Sequence, residues 1–266
     1  MNAQANYRSN RQPAPRPMPR LSRLALERAK SSHDQIAAIL GTELLKGVYV
    51  PGNNMPAEPE LIERFQVSRT VMREVMKTLA AKGFVISKTR VGTRVRDPVY
   101  WNYFDADVLA WRVRLGLDDE FMKSLTEVRR SLEPAAAALA ARRRSPTDIA
   151  RLRECVRQMA RTDHTRQSFA EADLDFHLEI GSASGNPLMR SMASVIETAL
   201  VASFAHSSPV DDPVDHEATV NGHAAIVDAI EAGEEQAAAA AILRVIDIGV
   251  NRIDVTRKKQ RGQQKR

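Results

Sequence analysis

The sequence predicts a mainly α-helical protein, with a small basic unit in front and a longer acidic helical bundle behind. Three observations lead there. Aromatic residues fill 5% of the 266 positions and glycines number 12, lean for a sheet-rich barrel or sandwich, while Ala, Leu, Arg and Glu abound. Apolar residues recur every three or four positions over most of the chain instead of alternating. Charge is partitioned: residues 1–30 carry seven basic side chains against one acid, 31–97 ten against seven, 98–251 fifteen against 24, and 252–266 seven against one. The net +6 therefore conceals a cationic front on an anionic body, as expected of a polyanion-binding module joined to a unit with another task.

Several classes drop out at once. A chain that is 43% hydrophobic can bury a core, so disorder throughout is excluded. No apolar run approaches the ~20 residues of a membrane span, the longest low-polarity stretches being alanine-rich pieces such as Pro134 to Ala141. One cysteine, Cys155, excludes an internal disulfide and a cysteine-rich zinc site and suits the reducing cytoplasm.

Residues 1–30 place Pro13, Pro15, Pro17 and Pro19 among scattered arginines, which predicts a disordered basic arm. Its lack of acids through Leu26 also fits an organellar transit peptide. Ile36, Ile39, Leu40 and Leu44 then predict a helix over 33–46, closed by Gly47. Pro51-Gly52 forces a turn, and a short helix, Glu58 to Phe65, follows, buried through Leu61 and Phe65. After the tight Gln66-Val67 connection, Ser68 caps a third helix that Gly83 ends. Its faces separate: Met72, Val75, Met76 and Leu79 pack, whereas Arg69, Arg73 and Lys77 form a cationic stripe. Phe84 to Val95 alternates about Thr89-Arg90-Val91-Gly92, as a two-stranded wing would. Residues 31–97 thus predict a winged helix-turn-helix that sets the first turn of the third helix in the DNA major groove. Arg69 and Arg73 can fork onto guanine, while Ser68 and Thr70 reach bases or phosphate. Taken without that motif, the cationic stripe would be an ordinary solvated face.

The runs Gly47-Val48-Tyr49-Val50-Pro51-Gly52, Met55-Pro56-Ala57-Glu58-Pro59-Glu60-Leu61 and Val67-Ser68-Arg69-Thr70-Val71-Met72-Arg73-Glu74-Val75 resemble the DNA-binding domain of the GntR family of bacterial repressors. The resemblance implies DNA contacts from Ser68, Arg69, Thr70 and Arg73, with Thr89 and Arg90 at a wing tip in the minor groove. Pro59 stands where some relatives carry a base-contacting arginine, so no operator sequence carries over.

Beyond a linker at 98–118, residues 119–254 read as an antiparallel, all-helical bundle broken near Gly116, Ser145, Thr162, Gly185, Pro213 and Gly233. Leu125, Val128, Leu132 and Ala136 form one stripe, with Pro134 a kink, and Ile149, Leu152, Val156 and Met159 another. Asp173 and His177, four apart, project from one helix face toward one ion or hydroxyl-rich ligand. His223 opens a helix running to Ala232, and Arg129 interrupts a packed one. Any of these alone reads equally as an ordinary capped or surface residue. Residues 255–266 read as a disordered basic tail.

Glu127-Val128-Arg129 with Leu132-Glu133-Pro134, Asp173 to Phe176-His177, Gly185-Asn186-Pro187-Leu188, and His223 to Ile226 with Ala229-Ile230 resemble the FCD ligand-binding domain of the FadR subfamily. That resemblance implies a divalent metal, often zinc or nickel, held by one Asp and three His below a pocket closed by an arginine. Asp173, His177, His223 and Arg129 match; Val245 occupies the fourth ligand's place. Either three ligands hold a metal with an open position, or they hydrogen-bond the effector directly. The segment Trp101 to Trp111 resembles the linker of sugar-acid-responsive members, which implies an aldonate effector such as galactonate with Thr219 as a minor contact. In residue terms the same segment is an aromatic wedge anchoring the front unit to the bundle, or plain core filling.

These readings converge on a homodimeric, effector-released repressor of double-stranded operator DNA, needing no membrane. The rival is a metal-dependent helical enzyme acting on a small hydroxy-carboxylate, with Asp175 or Glu179 as its base.

Overall fold

The computed structural model describes residues 31–88, 91–206 and 208–263, with side chains at 88, 193, 194, 202, 205, 206 and 254–263 excepted. The basic arm at 1–30 and the wing-tip residues Thr89 and Arg90 lie outside these.

Helix α1 (Ser32–Leu45) starts in a capping box: Ser31 Oγ accepts from the Asp34 amide and the Asp34 carboxylate accepts from the Ser31 amide. Ile36, Leu40 and Leu44 are buried, but Ile39, expected beside them, is exposed, because the packed stripe follows the i, i+4 row and veers toward Gly41. Helices α2 (Glu58–Phe65) and α3 (Arg69–Ala81) follow, joined through Gln66, a non-glycine residue at φ 52°. Strands β1 (Val85–Lys88) and β2 (Gly92–Val95) pair antiparallel, with Val85 opposite Val95. The segment after Pro51 adds to this wing, with Met55 N–H donating to Thr93 O at 2.8 Å and Val95 N–H to Asn53 O at 2.9 Å.

The linker wraps the back of this unit. Asn102 N–H donates to Lys82 O at 2.9 Å, and a side chain on Gly83 would sit 2.1 Å from the Tyr100 carbonyl oxygen. Lys82, at the end of α3, reaches Asp105 at 2.6 Å and Asp107 at 2.8 Å at the start of α4 (Ala106–Leu115). Trp101 packs on Phe84 with ring centroids 4.7 Å apart, and Trp111 lies so close over Gly41 that a Cβ there would meet its ring at 2.1 Å. Both tryptophans pack into the front core, an arrangement that either sequence reading of this segment allows; Tyr103 against Phe121, 5.9 Å between centroids, extends the aromatic chain to the bundle.

The bundle comprises α5 (Asp119–Arg143), α6 (Pro146–Met159), α7 (Arg166–Ala183), the single turn α8 (Pro187–Arg190), α9 (Ala193–His206), α10 (Pro213–Ala232) and α11 (Glu235–Gln263). Its core gathers Leu152, Met159, Phe169, Phe176, Ile226, Ile230 and Ile242. Two sequence expectations are corrected. His223 lies in the middle of α10, since Asp212 and Pro213 supply the cap and first turn ten residues earlier. The expected disordered tail is helical as far as Gln263, because α11 continues from a buried stretch that includes Ile242, Ile246 and Ile253. A further cluster of Leu109, Met122, Leu125, Val195, Ala199 and Ile253 joins α4 to α5, α9 and α11.

Candidate effector and DNA-binding sites

The front unit presents its chemistry on α3. Ser68 caps the helix by accepting from the Val71 amide at 3.3 Å, and Met72, Val75 and Leu79 are fully buried beneath it. Ser68, Arg69, Thr70 and Arg73 are exposed on the opposite side. Arg69 has the Glu58 carboxylate at 3.4 Å and Lys77 has Glu74 at 2.7 Å, so acids temper the two ends of the cationic stripe. The first turn of α3 offers its amides and two guanidinium groups to solvent, the arrangement that reads a groove and grips phosphate.

Within the bundle, α7 brings Asp173 and His177 to one face and α10 brings His223 against them; all three are buried and their ligand atoms lie within 4.8 Å of one another. His223 Nδ1 lies 2.7 Å from the Thr219 carbonyl, which only accepts, so Nδ1 carries a proton. Its Nε2 sits 2.9 Å from Asp173 Oδ1 in a buried place. His177 Nδ1 is 2.7 Å from the Glu133 carboxylate, while Arg129 Nη2 approaches His177 Nε2 at 3.4 Å as a donor. The same His177 Nε2 lies 3.7 Å from Asp173 Oδ2. One carboxylate and two imidazoles gathered at one spot are a donor set that suits a borderline divalent cation such as zinc or nickel.

Glu133 belongs to the same cluster and was not singled out from the sequence, although it lies within the motif quoted there. It is buried against Arg129, whose Nε donates to one of its oxygens and whose Nη2 approaches the other at 3.3 Å. Burial pushes the Glu133 carboxyl up, but Arg129 and His177 outweigh it and hold the group down at about 2. Burial likewise raises Asp173, and His223, His177 and Arg129 bring it below the ordinary carboxylate range.

A narrow polar cavity of about 50 Å³ opens beside the cluster. Asp173, His177, His223, Arg129, Thr219 and Val245 line it together with Met122, Thr126, Leu200, Ser203, Phe204 and Arg252. Every bundle residue proposed from sequence thus reaches one cavity, and Val245 stands in its wall. Arg252 was missed: it lies on α11, in a stretch whose basic composition masked a single inward position. Its Nη2 donates to Thr219 Oγ1 at 2.9 Å and its Nε lies 3.5 Å from Asp215. Asp175 and Glu179, the candidate bases of the enzyme alternative, do not line this cavity.

A groove-reading winged unit bolted to a bundle with a buried polar cavity defines a ligand-responsive DNA-binding transcriptional regulator. Residues 32–95 match the family of bacterial regulatory proteins named gntR and residues 124–247 match the FCD domain. The chain belongs to the GntR family, in its FadR-like branch with an FCD domain. It is 33% identical over 83% of its length to the galactonate operon transcriptional repressor of Escherichia coli K12, covering 96% of that protein. It is 35% identical over 82% of its length to an uncharacterized HTH-type regulator of the same organism, YieP, covering 94% of it. Among solved structures, one titled for Lar and the Listeria monocytogenes agr system aligns with a TM-score of 0.56 at 20% identity, over 83% of this chain and 96% of that one, a likeness of fold. These relatives are regulators, so the enzyme alternative is set aside. Among the described residues no helix is long and apolar enough to cross a membrane.

Proposed function

We propose that this chain is a homodimeric repressor of a sugar-acid catabolic operon, released from its operator when an aldonate such as galactonate enters the bundle cavity. The observation that carries it is the cavity itself: a guanidinium, hydroxyl side chains and a convergent Asp-His-His set inside an otherwise apolar bundle. Similarity to a protein named for the galactonate operon supports the effector class.

In this reading Ser68, Arg69, Thr70 and Arg73 contact the operator half-site, and Thr89 and Arg90 follow in the minor groove. Residues 1–30 form an arm and residues 255–266 a basic end that add phosphate contacts without sequence preference. Pairing through residues 119–254 sets two recognition helices at half-site spacing. Asp173, His177 and His223 would hold a divalent cation, with Glu133 beside His177 and the Thr219 carbonyl orienting His223; the cation would supply Lewis-acid chemistry for ligand oxygens, and Val245 adds no fourth protein ligand. The effector carboxylate lies on the guanidinium side of the cavity, where Arg129 and Arg252 line the wall together with Thr219.

Release requires that the effector prefer the DNA-incompetent conformer, since equal affinity shifts nothing; a ~3 kcal/mol preference changes occupancy by roughly a hundredfold. The test is a gel shift on DNA upstream of the protein's own coding region, challenged with aldonates and uronates, with and without chelator. Release by an aldonate is expected. A complex indifferent to every sugar acid sinks the proposal.

A further inference from the structure

The hydroxyl groups lining the cavity have already spent their protons. Thr126 Oγ1 donates to the Met122 carbonyl at 2.9 Å on α5, and Ser203 Oγ donates to the Ala199 carbonyl at 2.7 Å on α9. Thr219 Oγ1 donates to the Asp215 carbonyl at 2.7 Å on α10 and accepts from Arg252. Each of these bonds runs one turn back along the same helix, so the helix itself fixes the rotor. A hydroxyl has one proton and two lone pairs; with the proton committed, what Thr126 and Ser203 turn toward the cavity is an acceptor. The cationic donors in the lining are Arg129 and Arg252.

We infer that Thr126 and Ser203 are specificity-determining residues: they form an acceptor wall that selects a ligand donating hydroxyl protons along its carbon chain. This deepens, and rests on, the sugar-acid reading above. A polyhydroxy monocarboxylate matches the inventory, with its carboxylate on the guanidinium side and its hydroxyl hydrogens on Thr126 and Ser203. An aliphatic acid of equal length leaves two half-buried oxygens without donors. A keto oxygen or second carboxylate at those points meets lone pairs. Turning either side-chain hydroxyl around to donate would forfeit its bond to the helix carbonyl. Selection therefore works by leaving the wrong ligand's partners unsatisfied, which discriminates more strongly than fit alone.

The test is calorimetric titration of the full-length protein with D-galactonate and with hexanoate, six carbons each. The proteins compared are the wild type, Thr126→Val, Ser203→Ala and the conservative Thr126→Ser. Each lost hydroxyl is expected to weaken galactonate about tenfold, the loss of one hydrogen bond, while hexanoate stays within about twofold. Thr126→Ser is expected to retain galactonate binding, which separates loss of the acceptor from loss of folding. If wild type binds galactonate and the variants bind it equally well, or lose both acids alike, the wall is refuted and the sugar-acid reading stands. If wild type binds hexanoate and no galactonate, or neither acid, the sugar-acid reading falls and the wall with it.

Discussion

Gly41 is the point at which the linker locks into the DNA-binding unit, and alanine there gives a test with a reversible sign. A Cβ at residue 41 would lie 2.1, 2.3 and 2.8 Å from three atoms of the Trp111 ring, well inside contact distance. The indole has little room to retreat: it is 3% exposed, with Phe84 6.0 Å away and the Lys82 ammonium 5.7 Å from its ring. Overpacking of this kind costs about 1–3 kcal/mol, while replacing a mid-helix glycine by alanine returns about 1 kcal/mol. Gly41→Ala should therefore destabilise by up to about 2 kcal/mol. In a Trp111→Leu background the clash disappears and only the helical gain remains, so the same change should stabilise by up to ~1 kcal/mol. The double-mutant cycle, measured by urea denaturation followed by circular dichroism, should show a coupling near 2 kcal/mol. Additive effects, or stabilisation by Gly41→Ala in the wild-type protein, would refute the packing argument.

Three further predictions follow. Arg73→Ala should abolish binding to the operator while moving the melting temperature by less than about 2 °C, because the residue is exposed and surface changes stay within ~0.5 kcal/mol; a large melting loss would make it structural. Zinc or nickel should raise the melting temperature, by up to ~2.7 kcal/mol at a hundredfold excess over Kd, an effect that EDTA reverses and His223→Ala eliminates; Val245→His, by adding a ligand in the cavity wall, should tighten binding, and indifference to both metals would dismiss the cation. Burial, with Glu179, Asp175 and Glu154 nearby, pushes the Cys155 thiol up to about 12 from its ordinary 9.0, so iodoacetamide at pH 8 should label the folded protein at least about a hundredfold more slowly than the urea-unfolded chain. The sign is set by the proton: stability that Cys155 contributes is whole below about pH 9 and is lost as pH rises toward 12. Equal labelling rates would remove this.

Much of the front unit was legible because its signals are local. A serine cap, a four-residue cationic repeat and paired glycine turns specify α3 and the wing without reference to anything distant. The polar cluster was legible only by resemblance: Asp173 and His177 share a helix, but nothing in spacing alone brings His223 to them from α10. Glu133 and Arg252 escaped for different reasons. Glu133 sits four residues after Arg129, the interval of countless surface ion pairs, and only burial distinguishes it. Arg252 lies at the end of the predicted bundle beside the basic tail, and its inward direction depends on how α11 continues past its apolar stretch. The helix start before His223 was misjudged because the stretch from Asp212 to Asn221 shows little amphipathic pattern, whereas Asp212-Pro213 is a sound capping signal.

The clasp of Lys82 on Asp105 and Asp107, with Tyr100 filling the space over Gly83, has a practical consequence for anyone building chimeric regulators. A splice at residue 97, where the wing ends, would strip Trp101 and Trp111 from Phe84 and Gly41 and leave the transplanted reading head with an open apolar scar. The natural seam is Gly116, at φ 84° with nothing within 4 Å of where a side chain would sit, so sensors should be exchanged there with α4 travelling alongside the DNA-binding half.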